Sequence, residues 1–177
     1  AFPVVVIENE LSVGMESLLQ AHGIGGMRPN TVLMGLLNGR DRLDEYCATL
    51  RIADKYQRSI LLLDCHKTLD RWTPPDGHID ILWQGPEHGE LMVLLGHLLK
   101  KNPEWRGRHL RLLAALPPKG DAENLKKTLE DMVALARIDI TVHVFSSEDL
   151  YVTLAKRTGN SAVLFMQFTP PAVEEQE

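Results

Sequence analysis

Three consecutive side chains, Asp64, Cys65 and His66, are the closest approach to a catalytic cluster in this sequence. They stand at the carboxyl end of a predicted strand, and a cysteine beside a histidine can act as a nucleophile with its base. Neighbouring side chains on an extended segment point to opposite sides, which separates the members of such a pair. The pattern therefore favours a buried Cys65 and a solvated Asp64, and a small α/β hydrolase or transferase is the least favoured hypothesis.

Histidine is the commonest metal ligand, and the seven histidines are spread singly, at His22, His66, His78, His88, His97, His109 and His143. None has the helical pairing with a second histidine and an acid that marks a zinc site. Cys47 and Cys65 are too few for a metal site or a disulfide framework, and they fit a reducing compartment. We therefore predict a non-enzymatic chain with no catalytic residue, no metal and no cofactor.

The glycines of Gly23–Gly26 stand close enough together to let backbone N–H groups approach a phosphate. Phosphate-binding loops follow a strand and open a helix, whereas this segment follows a predicted helix and precedes a predicted strand. The order favours a structural turn. The alternative is a nucleotide-sensing module, in which strand ends near Gly35, Asp64 and Gly85 line a pocket for an adenine nucleotide.

Asp80 lies between Ile79 and Ile81 in an apolar run of strand length. A carboxylate in such a strand is buried and needs a partner. Arg108 or Arg111 on a neighbouring strand can provide one, so we predict a structural ion pair.

Apolar runs of strand length alternate with amphipathic stretches of helix length along the whole chain. Strands are predicted at Phe2–Ile7, Thr31–Leu37, Ser59–Cys65, His78–Gln84, His109–Leu116, Ile138–Phe145 and Ala162–Phe168. Helices are predicted in the intervals, the most apolar at Glu87–Lys101, which we expect to be buried on more than one side. This alternation predicts a three-layer α/β fold, a mainly parallel sheet with helices on both faces. No flexible linker interrupts it, so we predict a single domain over residues 1–168, followed by a loose acidic tail over 169–177.

Composition restricts the class of protein further. The 177 residues are 44% hydrophobic and 24% charged, which excludes a disordered chain. A formal net charge of −5 with scattered lysines and arginines argues against nucleic acid as a partner. No apolar run approaches the roughly 20 residues of a membrane-spanning helix.

The glycine segment and its flanks resemble one known family. Residues Leu18, Leu19, Gln20, Ala21, Gly23, Ile24, Gly25, Met27, Arg28, Pro29, Asn30, Thr31 and Gly35 match, at the same spacing, the start of the cytosolic C-terminal domain of cation-chloride cotransporters, the Na-K-Cl and K-Cl symporters. Two later stretches resemble the same family: Asp80 and Trp83 with Gly89 ahead of an apolar helix, and Trp105-Arg106 ahead of Leu110-Arg111. Here Glu90 replaces the family's second glycine, and Gly96-His97 replaces its proline.

The resemblance implies a universal-stress-protein-like domain on the cytoplasmic side of the cell membrane. It implies a regulatory role in ion transport, with the transmembrane transport core of the same polypeptide as one partner and a second copy as another. A symmetric pair of like domains is the simplest assembly. Leu94, Leu98 and Trp105 are the candidate interface residues, although Trp83 and Trp105 fit core packing equally well.

Overall fold

The computed structural model describes residues 5–21, 29–37, 39, 41–65, 74–116, 120–146 and 150–168. Helices and strands alternate in the order α1 (Leu11–Ala21), β1 (Thr31–Gly35), α2 (Leu43–Lys55), β2 (Ser59–Leu63), β3 (His78–Trp83), α3 (Pro86–Lys101), β4 (Leu110–Leu116), α4 (Ala122–Leu135), β5 (Thr141–Ser146), α5 (Leu150–Arg157) and β6 (Ser161–Phe165). Every strand pairing among them is parallel. The predicted α/β class with a mainly parallel sheet is confirmed.

The chain separates into two compact units, unit 1 (Ala1–Thr68) and unit 2 (Leu69–Glu177). A single domain over residues 1–168 stays a prediction. The glycine segment Gly23–Gly26 and the acidic tail lie outside the described residues.

In unit 1, β1 and β2 form a two-stranded parallel sheet with Val32 opposite Ile60. Tyr56 joins the two helices, because its hydroxyl donates to Glu16 Oε1 over 2.8 Å and accepts from Gln20 Nε2 over 2.5 Å. The apolar strand β1 is not buried on both faces, since Leu33 is 65% exposed.

The strand predicted at Phe2–Ile7 is also not formed where the structure describes it. Residues 5–8 carry no regular structure, and Val5 and Ile7 are 82% and 92% exposed. An apolar run forms a strand only when it finds a partner strand to satisfy its N–H and C=O groups. Residues Ala1–Val4 lie outside the described part of the chain.

Unit 2 is a four-stranded parallel sheet in the order β5–β4–β3–β6. The chain first moves from β3 to β4 to β5 in one direction, and then returns to the far side of β3 as β6. In right-handed crossovers, the helices that connect strands in one direction along the sheet lie on one face, and a helix that connects strands in the opposite direction lies on the other face. The packing agrees: α3 and α4 cover one face, while Leu154 of α5 packs on the other.

The two faces of this sheet carry different side chains. On the face beneath α3 and α4, the core consists of Ile79, Ile81, Met92, Val93, Leu110, Leu112, Ala114, Leu129, Val133 and Val142. On the α5 face, a smaller cluster of Leu82, Leu113, Phe145 and Leu154 lies on the same side as Asp80 and Arg111. The predicted helices on both faces are therefore present in unit 2.

Candidate functional site

Asp80 is fully buried at the centre of the α5 face, and Arg111 on the neighbouring strand is its partner. The Nε and Nη2 atoms of Arg111 donate to the two carboxylate oxygens over 2.7 and 2.6 Å. Ser161 Oγ donates to the same carboxylate. The predicted ion pair is confirmed, and its bidentate geometry with a third donor satisfies a carboxylate removed from water.

Arg108, the other candidate partner of Asp80, binds backbone carbonyl oxygens instead. Its guanidinium donates to the carbonyl oxygens of Pro74, Pro75 and Glu104 over 2.7 to 3.0 Å. It also lies 5.0 Å above the ring of Trp105, a distance at which a cation is attracted to an aromatic face. Trp105 is half-buried and packs against the larger core cluster, so it serves packing in unit 2.

His143 lies on β5, on the same face as the Asp80–Arg111 pair. Burial lowers the pKa of His143 from its ordinary value of 6.5, and the nearby cations Arg111, Arg157 and Lys126 lower it further. Asp80 is the opposing charge that raises it. The folded protein therefore disfavours the charged imidazolium.

We expect the free energy of unfolding to decrease as the pH falls below 6.5. Below that value the unfolded chain takes up a proton on His143 that the folded chain resists, until the lowered pKa of the folded state is reached. His143→Gln removes this contribution and gives a shallower pH dependence in urea titrations. Identical slopes for the wild type and the variant between pH 6.5 and the acid limit of folding would contradict this assignment.

The two leucines predicted at an interface, Leu94 and Leu98, lie one turn apart on the open side of α3 and are 48% and 56% exposed. The opposite side of the helix is buried, with Met92 and Val93 in the core. The expectation that α3 is buried on more than one side is therefore wrong in unit 2. The leucines on the open side of α3 form an apolar face that is exposed to water.

Gly89 and Trp83 are in contact. Both are signature residues, that is, residues that carry the resemblance to the cotransporter family. A Cβ atom built at Gly89 would clash with the ring atoms of Trp83, and Gly89 itself is buried. Gly85 precedes α3 with a φ of 144°, a conformation that glycine adopts without strain. It allows the chain to turn from β3 directly into the helix.

The beginning of β1 shows the contacts of three more signature residues. Thr31 donates its hydroxyl to Asn30 Oδ1 over 3.0 Å, and the carbonyl of Asn30 accepts from the N–H of Ser59 over 2.8 Å. This bond starts the β1–β2 ladder. Pro29 borders a cavity of about 170 Å³ under α1, with Met15, Leu18, Leu19, Thr31 and Val32. The signature residues Gly23, Gly25 and Met27 lie outside the described residues.

Of the proposed nucleotide-binding residues, Gly35 and Asp64 lie at the carboxyl ends of the neighbouring strands β1 and β2 in unit 1. A Cβ atom at Gly35 would meet nothing within 4 Å among the described atoms. Gly85 belongs to unit 2. A shared nucleotide pocket stays a prediction.

The structure describes the predicted cluster of Asp64, Cys65 and His66 only in part, because His66 lies outside the described residues. Cys65 is exposed, so its expected burial is wrong, and Asp64 is exposed as expected. Among the described residues, no three His, Cys, Asp or Glu side chains come together to hold a metal ion.

A basic cleft in unit 2 was not predicted from the sequence. It has a volume of about 330 Å³ and is lined by His97, Lys100, Lys101, Arg106 and Asp139. Lys100 donates to Asp139 Oδ2 over 2.7 Å and thereby lowers the pKa of that carboxyl group. The cluster of four basic residues within ten positions is the signal that could have revealed it.

Two comparisons with known proteins agree. The family described as solute carrier family 12 matches residues 1–74. "Potassium/chloride cotransporter 3" of Caenorhabditis elegans is 27% identical over 152 residues, 82% of this chain and 14% of the relative. These matches support a relationship to the cation-chloride cotransporters.

Cotransport of potassium and chloride is the activity that the name of this relative describes. The chain spans about 14% of the length of the curated relative it matches. None of the helices that the structure describes is long and apolar enough to cross a bilayer. The share of the relative that is matched shows a resemblance to one part of that cotransporter.

Proposed function

We propose that this chain is the cytosolic regulatory and assembly domain of a cation-chloride cotransporter-like protein. The observation that carries the proposal is the similarity to a K-Cl cotransporter over 82% of this chain, combined with the small share of the relative that it spans. The domain has no chemical step of its own. It lies on the cytoplasmic side of the cell membrane, attached to the transmembrane transport core of the same polypeptide, and adopts a universal-stress-protein-like fold.

The regulatory action is mechanical in this proposal. Two copies pair, and the geometry of the pair favours one conformation of the attached transport core over another. Pairing with twofold symmetry uses the same patch on both copies. The open face of α3 suits this role, because Leu94 and Leu98 present adjacent apolar side chains that gain by leaving water.

Replacing both leucines, Leu94→Ala with Leu98→Ala, is expected to turn a dimer of this chain into a monomer with nearly unchanged thermal stability. Both side chains are about half exposed, so the fold loses little packing when they are shortened. Sedimentation equilibrium measures the mass, and thermal unfolding followed by circular dichroism measures the stability of the same samples.

Leu135→Ala is the matched control, because Leu135 ends α4 and is 88% exposed. That variant is expected to remain dimeric. A wild-type chain that sediments as a monomer at high micromolar concentration, or a double variant that still pairs, would contradict an interface on α3. Loss of folding in the double variant would assign both leucines to the core.

A further inference from the structure

The geometry points to a binding site for a phosphate group in the basic cleft of unit 2, presented by a soluble phosphate ester or by the headgroup of a phospholipid. The cleft is lined by His97, Lys100, Lys101 and Arg106, with Asp139 as its one acid. This assignment goes beyond the proposed regulatory function and does not depend on the pairing of two copies.

The positions of the basic groups follow from the fold. His97, Lys100 and Lys101 are three and four residues apart in the last turns of α3, so they share one face of the helix. Arg106 comes from the loop between α3 and β4, and Asp139 from the segment before β5. Two loops and a helix end therefore enclose one concave site at the amino-terminal edge of the sheet.

Two of the three strong cations pair with no anion among the residues that the structure describes. Lys101 and Arg106 form no ion pair within the part of the chain that the structure describes. Lys100 gives one N–H to Asp139 Oδ2 and another to the carbonyl of Asp139, which leaves its third N–H for a ligand. The side chain of Lys100 is only 21% exposed, so the Asp139 contacts hold it in place.

The charge balance favours an anion. Three cations face one carboxylate, and that carboxylate is 97% exposed and therefore well solvated. The carboxyl end of α3 adds roughly half a negative charge, which still leaves the cleft positive. This local excess contrasts with the net charge of −5 on the whole chain.

Phosphate fits these donors better than a single carboxylate does. The planar guanidinium of Arg106 can bind two phosphate oxygens at once, while lysine ammonium groups act as point charges on the remaining oxygens. The volume of about 330 Å³ falls at the lower end of the range of about 300–1,000 Å³ found for small-molecule sites. A phosphate on a small carrier such as a sugar or an inositol ring is the matching ligand class.

Lysines at a helix end also have a simpler role, since they complement the helix dipole. Lys156 in the last turn of α5 is an exposed example in the same unit. Arg106 distinguishes the two roles, because it lies outside the helix and has no helix carbonyls to satisfy.

Calorimetric titration of the 177-residue chain with inositol trisphosphate tests the proposal. We expect saturable heat that weakens as salt is added. Arg106→Gln and Lys101→Gln should each lower the affinity by about tenfold, the loss typical of one charge-assisted contact. Lys156→Gln removes the same charge from another helix end and should leave the affinity unchanged.

Co-sedimentation with vesicles separates the two sources of the phosphate group. Vesicles of phosphatidylcholine alone are compared with vesicles that also contain phosphatidylinositol monophosphate. Binding to the second kind only, lost in Arg106→Gln, assigns a lipid headgroup. Binding of inositol trisphosphate without vesicle binding assigns a soluble ester. No binding in either assay, or an equal loss in Lys156→Gln, would overturn the proposal.

Discussion

The variant Arg111→Met is expected to lose about 3–5 kcal/mol of the free energy of unfolding, among the largest effects of any single change in unit 2. Arg111 supplies two of the three hydrogen bonds that Asp80 receives, and Asp80 has no exposed surface through which water could replace them. Methionine fills a similar volume but leaves a buried carboxylate with Ser161 as its remaining partner. When one partner of a buried ion pair is removed, the other carries the full desolvation penalty of an unpaired buried group.

Urea unfolding monitored by tryptophan fluorescence measures this change. Trp83 and Trp105, the tryptophans that the structure describes, both lie in unit 2, so their emission follows the unit that contains the ion pair. Arg106→Met makes the same replacement at an exposed site and is expected to change the stability by no more than about 0.5 kcal/mol.

The double variant Asp80→Leu with Arg111→Met separates the cost of an unpaired charge from the cost of lost packing. When both charges are replaced by apolar side chains, the fold no longer has an uncompensated ion, and stability should return to within about 1 kcal/mol of the wild type. A double variant as unstable as Arg111→Met would show that the cost comes from lost packing rather than from an unpaired charge.

Much of the fold could be read from the sequence because its elements are locally consistent. The apolar run Ile79–Trp83 and the helical spacing of Leu125, Leu129 and Val133 match their observed elements. The partner of Asp80 could be narrowed to two arginines, but the choice depended on register. Arg111 lies opposite Asp80 on the adjacent strand, whereas Arg108 precedes that strand and binds backbone.

The features that the sequence did not predict have a common physical cause, because they depend on contacts between parts of the chain that are distant in sequence. Ser161 reaches Asp80 across 81 positions, and no local pattern indicates that β6 returns beside β3. Likewise, Val5 and Leu33 are apolar but exposed, because burial needs a covering layer that hydrophobicity alone does not supply. The four basic residues of the cleft are neighbours in the sequence, but its concave shape also depends on a separate loop that carries Asp139.

The variant Gly89→Ala is expected to destabilise unit 2 by about 1–3 kcal/mol, the second large effect. In an exposed helix the same change stabilises by about 0.5–1 kcal/mol, because alanine has less conformational freedom to lose than glycine. At Gly89 the added Cβ atom would come too close to the ring atoms of Trp83, so the ring or the helix must shift. The steric cost therefore outweighs the helix preference for alanine, and the net effect of the substitution is destabilising.

Gly14→Ala in α1 is the matched control, because its Cβ atom would meet Glu8 only at ordinary contact distances of 3.6 Å and beyond. We expect this variant to be neutral or slightly more stable in thermal unfolding followed by circular dichroism. Gly96→Ala should fall between the two, since its Cβ atom would approach Ile81 Cδ1 and Leu110 Cδ1 to 3.0 Å.

A double-mutant cycle with Trp83→Leu tests whether the ring is the cause. Leucine removes the ring atoms that a Cβ atom at Gly89 would meet, so Gly89→Ala should cost at least about 1 kcal/mol less in that background. Additive costs would mean that the glycine is needed for another reason. A coupled result would explain why Trp83 and Gly89 occur together in the signature: the ring covers the start of α3, and only glycine lets it lie there.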